Sequence, residues 1–142
     1  MKSKPRGLAK AWFAAGAIGG AAAALEFVVF YAAMQIQTGG ISVDFMAVAP
    51  MAVMVAIPLF LVGVAVIGLP LLLMIDGTGL RAPAAAAGIG AVVTTATALL
   101  ICLAVGGPTG LALATAGFMI VPGALSGWTL CRLAYGPAAV NP

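Results

Sequence analysis

From Ala11 to Cys131 the chain carries only four charged side chains, Glu26, Asp44, Asp76 and Arg81. The uncharged stretches between them match the roughly 20 apolar residues that a helix needs to cross a bilayer's hydrocarbon. Charged residues make up 6% of the chain, and an average soluble domain carries roughly 25%. So few charges leave no solvated surface for a water-soluble globule. The mean hydropathy of +1.24 says the same. A soluble enzyme, a nucleic-acid-binding domain and a disordered tail are excluded on these grounds.

The missing residues narrow the chemistry further. There is no histidine, which removes bis-histidine haem ligation, the usual zinc sites and every His-based acid–base or nucleophilic mechanism. The two cysteines, Cys102 and Cys131, have no CxxC spacing, so no metal cluster or redox pair is expected. The expectation is a non-enzymatic protein with no cofactor.

The charges and turn residues divide the chain into four spans, at about 11–34, 50–75, 82–105 and 111–131. The first follows Lys10 and is broken only by Glu26. It continues through Phe27-Val-Val-Phe-Tyr31, past the length of a signal-peptide core, and reads as a first helix and anchor. Phe45 to Ile75 is uncharged, too long for one upright helix and too short for two. It reads as one tilted span whose first residues lie at the interface before Pro50. Asp76-Gly-Thr-Gly-Leu-Arg81 and Gly106-Gly-Pro-Thr-Gly110 mark the next two reversals. Pro58, Pro70 and Pro122 fall inside spans and should bend them. The fold class is an all-α membrane protein, a bundle of four transmembrane helices in a single domain over 1–142.

All six basic residues fall on one side if the termini are cytoplasmic. Lys2, Lys4, Arg6 and Lys10 precede the first span, Arg81 lies in the second loop, and Arg132 follows the fourth span. The outer loops then carry only Asp44. The positive-inside rule gives N-in/C-in without exception. The net charge of +3 orients the helices and meets anionic headgroups; no nucleic-acid partner is expected. Cys102 and Cys131 should lie a membrane thickness apart, beyond disulfide reach.

Membrane helices associate through close packing, so small residues should mark their contact faces. The first helix has Gly16, Gly20 and Ala24, with Gly19 and Ala23 beside them. The third offers Ala84 with Gly88, or Ala86 with Gly90. The fourth offers Gly110 with Ala114, then Gly123 with Gly127. The residues expected at packed faces are Gly16, Gly20, Gly88, Gly123 and Gly127.

Glu26 is the one ionisable group well inside a span. An intramembrane carboxyl costs several kcal/mol unless paired or protonated, and is a functional candidate by default. It sits about 22 Å along the first span at 1.5 Å per residue, on the edge of the Gly16–Ala23 face. Thr97 lies at a similar depth in the third span, with Thr94 a turn below. The plain reading is a protonated carboxyl bonded to a threonine hydroxyl or a carbonyl. A bond to another subunit and an ion or proton pathway are the alternatives. Trp12, Tyr31, Trp128 and Tyr135 read as interface anchors. Phe27, Phe30 and Trp128 form a weaker candidate for stacking a pigment or quinone. Met46, Met51, Met54, Met74 and Met119 read as packing material.

Together these features describe a multi-pass protein of a bacterial inner membrane. It would pack as an accessory or assembly subunit against other membrane-protein subunits. The alternative is a small self-associating proton- or cation-coupled transporter or channel that uses Glu26.

Overall fold

The computed structural model describes residues 7–37, 39–40, 45–75, 82–104 and 109–136. All regular structure among them is helical: α1 (Leu8–Gln37), α2 (Phe45–Gly63), a π-helical turn (Val64–Gly68), α3 (Leu69–Ile75), α4 (Pro83–Ala104), α5 (Thr109–Phe118) and α6 (Ile120–Tyr135). These make four helices long and apolar enough to cross a membrane: Leu8–Gln37, Met46–Met74, Pro83–Ala104 and Leu113–Tyr135. The expected reversals at Asp76–Arg81 and at 106–108, and Asp44, lie outside the described residues.

Several helix boundaries differ from expectation; α1 starts at Leu8 rather than Ala11, and α6 runs on to Tyr135, so Arg132 lies in its last turn rather than after the span. α1 runs on to Gln37, where Gly39 adopts φ +117° and the Gly40 N–H bonds the Gln35 carbonyl at 3.1 Å. That closure needs a backbone that L side chains resist, and glycine supplies it. α2 begins at Phe45, so Pro50 lies inside the helix rather than at its start, and residues 45–50 are helical. There the proline has no N–H to offer the Met46 carbonyl, and the helix continues past it.

The prolines leave three different marks. Pro58 is absorbed within α2. Pro70 has no N–H for the Val66 carbonyl, and its ring crowds that oxygen. The wider π turn over Val64–Gly68 falls at this point, and such turns mark local strain in a helix. Pro122 likewise leaves the Phe118 carbonyl without its helical donor, and the helix breaks between α5 and α6. There Met119 N–H turns back to Ala116 O at 3.2 Å.

The helices pack in the spatial order α2, α1, α6, α4, with α5 also against α4. Other pairs of spans touch at most at a fringe, so the four spans form an open chain of helices. The best-packed region lies where α1 starts and α6 finishes. Ala11, Ala15, Val64, Leu72, Leu130, Cys131 and Ala134 are buried together there, with Leu8, Trp12 and Tyr135 against them. α4 has no buried residue. Four of the methionines read as packing material, Met46, Met51, Met54 and Met74, are instead between 64% and 77% exposed. They face outward from α2 and α3, where no second helix covers them.

Candidate functional site

Backbone proximity is set by small residues at three interfaces. A Cβ on Gly16 would stand 2.9 Å from the Leu61 Cα, and one on Gly20 would stand 2.5 Å from the Ile57 Cα. These two positions seat α1 on α2. Gly19 turns toward Phe60 and Ser126, where α2 and α6 both approach. On the far side of α6, Gly123 and Gly127 meet Gly90, Thr94 and the Ala86 backbone of α4.

Gly88 is a correction. It is exposed, and a Cβ there would meet nothing within 4 Å. Of the two small-residue registers on α4, the one that packs is Ala86 with Gly90. Gly88 is two residues from Gly90, about 200° around the helix, and so points away from α6.

Hydrogen bonds between helices supplement this packing. The Ser126 hydroxyl donates to the Ala15 carbonyl at 3.0 Å in a buried contact. The Trp12 indole N–H donates to the Leu61 carbonyl at 2.8 Å. Trp12 therefore joins α1 to α2 rather than serving only as an interface anchor. Thr94 Oγ1 lies 2.7 Å from Gly90 O in its own helix and 3.1 Å from Met119 O at the α5–α6 break. Ser126 went unnoticed in the sequence. Its signal was a lone hydroxyl three residues from Gly123 and one from Gly127.

Glu26 stands where this packing ends. The buried positions of α1 run from Ala11 to Ala24, and none follows between Leu25 and Gln37. One carboxyl oxygen, Oε2, is buried and has no hydrogen-bond partner. Glu26 faces an open groove of about 500 Å³ lined by Leu25, Val29, Phe30, Ala33, Gly117 and Phe118. The structure does not bring the threonines to it. Thr94 is engaged with Gly90 and Met119, and α1 and α4 belong to non-neighbouring places in the helix order. The candidate constellation of Glu26 with Thr94 and Thr97 is thus separated by α6.

The aromatic candidates do not converge either. Phe27 stacks with Tyr31 on its own helix, with centroids 6.4 Å apart. Phe30 meets Phe118 edge to face at 5.1 Å. Trp128 lies under the Arg132 guanidinium at 4.7 Å, a cation–π pair one turn apart on α6. Cys102 and Cys131 are not joined in a disulfide. Among the described residues, no three His, Cys, Asp or Glu side chains gather to hold a metal ion.

No family model, curated protein or solved structure matches this chain.

Proposed function

We propose that this chain is a non-enzymatic, multi-pass protein of a bacterial inner membrane. Its termini lie in the cytoplasm, and it packs laterally as an accessory or assembly subunit of a membrane-protein complex. The observation that carries this reading is Glu26 Oε2, buried without a partner on a part of α1 where no residue is buried. Lipid tails can cover the exposed Leu, Val and Met side chains, but they offer a carboxyl no hydrogen bond. A protein partner does. The open helix order supports the same reading, because α2 and α4 each keep a free flank. An Ala- and Gly-rich composition fits a high-GC bacterial gene, and the one-sided basic residues favour the N-in/C-in orientation.

Native mass spectrometry of gently solubilised host membranes tests the proposal. A hetero-complex of fixed stoichiometry is expected. A homo-oligomer alone overturns the accessory reading and leaves the second one, a small transporter or channel. The position of Glu26 on a groove favours that second reading.

A further inference from the structure

Beyond Ala24, α1 continues to Gln37 with no buried residue, roughly 20 Å of helix at 1.5 Å per residue. Leu25, Val29 and Ala33 recur at four-residue spacing on it, with Glu26 and Phe30 alongside. These five residues line one wall of the groove, and Gly117 and Phe118 line the other. Val29 is 60% exposed and Phe30 42%. An apolar stripe of two turns at that spacing is the surface along which another helix packs ridge into groove. Its single polar feature is the Glu26 carboxyl.

Among the described residues, no cation reaches it. The basic residues are Lys2, Lys4, Arg6, Lys10, Arg81 and Arg132. Of the described ones, Arg132 is in the last turn of α6 at the terminal end. Lys10 is about 24 Å from Glu26 along α1 at 1.5 Å per residue. An inorganic cation fits poorly, since it takes several oxygen ligands and, among the described residues, Glu26 belongs to no group of acids that could hold one. Charged groups within a membrane pair with one another or with backbone carbonyls. A charged Glu26 would therefore call for a basic side chain delivered by another helix.

We infer that the groove between α1 and α5 receives a transmembrane helix of a partner subunit, and that this helix carries a lysine or arginine at the depth of Glu26. The inference rests on the accessory-subunit reading and names the surface and chemistry by which the partner is held. A lysine or arginine there offsets the cost of burying the carboxyl. The stripe of Leu25, Val29 and Ala33 sets the register of the incoming helix.

The test uses the full chain in its native membrane, with a benzophenone side chain placed at Val29, at Ala33 or at the exposed Val92 of α4. Crosslinks from Val29 and Ala33 should map to one transmembrane segment with a basic residue within a turn of the crosslinked site. Glu26→Gln should lower their yield at least fivefold. Gly117→Leu should do the same, because a Cβ there meets nothing within 4 Å and the longer side chain enters the groove, with an unchanged melting temperature in detergent as the control for the fold. Glu26→Lys should abolish the crosslink, and exchanging the partner's basic residue for glutamate should restore it. Crosslinks only to lipid, only to a second copy, or to a helix without a basic residue overturn the inference. So does a yield indifferent to Glu26→Gln and Gly117→Leu. A partner captured from Val92 alone refutes the groove while leaving the accessory reading intact.

Discussion

The Ser126 hydroxyl bonds the Ala15 carbonyl at 3.0 Å across 111 residues of sequence, joining the first and last spans at the centre of the helix order. This contact lies beside Gly19, where an added Cβ would stand 3.0 Å from the Ser126 Cβ. Close approach and hydrogen bond are therefore one feature. The glycine lets α6 come near enough for a short hydroxyl to reach a helical carbonyl.

That pairing separates sterics from bonding. Ser126→Ala removes the donor but keeps the space, and the Ala15 carbonyl still has its own helix. The loss should be small, about 0.6 kcal/mol, the average for such bonds in a membrane protein. Ser126→Leu forces α1 and α6 apart and should cost about 1–3 kcal/mol, the range for overpacking. Thermal unfolding in detergent measures both. Equal losses for the two variants would show that the bond, and not the spacing, holds the pair.

The glycines make a sharper contrast. Gly20→Leu should destabilise at the upper end of the overpacking range, since its Cβ would already be 2.5 Å from the Ile57 Cα. Gly127→Leu should behave alike, because it would press on the Ala86 carbonyl. Gly88→Leu should lie within about 0.5 kcal/mol of wild type, as exposed substitutions usually do. Comparable melting temperatures for Gly20→Leu and Gly88→Leu in detergent would mean that these faces do not pack in solution.

How far the chain could be read from its residues follows from which physics is local. Helix number and length depend on hydropathy and charge spacing, so the four spans are legible to within a few residues. Which small residue packs depends on the partner, so Gly88 and Gly90 look alike in the sequence although only Gly90 meets α6. The open helix order is not written in any one helix, because it depends on which faces meet. Glu26 was legible as the one acidic group inside a span. Its separation from Thr94 and Thr97 was not, because that depends on α6 standing between α1 and α4. The Pro70 π turn was visible only as a bend, since a proline does not dictate whether its helix kinks, widens or breaks.

Topology has its own check. Reporter fusions at Gly39, Gly77, Pro108 and Pro142 should read outside, inside, outside and inside if the positive-inside asymmetry orients the chain. Leu8, Trp12 and Tyr135 all pack against one buried cluster, so the start of α1 and the end of α6 lie at the same end of the helices. A cytoplasmic signal at Pro108 would overturn the four-span arrangement.

Glu26 decides between the two functional readings. A coupled transporter must let this carboxyl exchange a proton or bind its cation in turn. A glutamine keeps nearly the same volume and a hydrogen-bonding head but carries no exchangeable charge. The wild type and Glu26→Gln are therefore reconstituted in liposomes, and proton and cation flux is followed under an imposed gradient. The accessory reading expects no flux from either protein above that of empty liposomes, with both equally stable in detergent. Glu26→Ala should be less stable only when a partner's donor is present, because burying an unsatisfied group costs about 1–3 kcal/mol. Flux in the wild type that vanishes in the Gln variant would establish the transporter instead. The groove beside Phe30 and Phe118 would then be the place to look for its path.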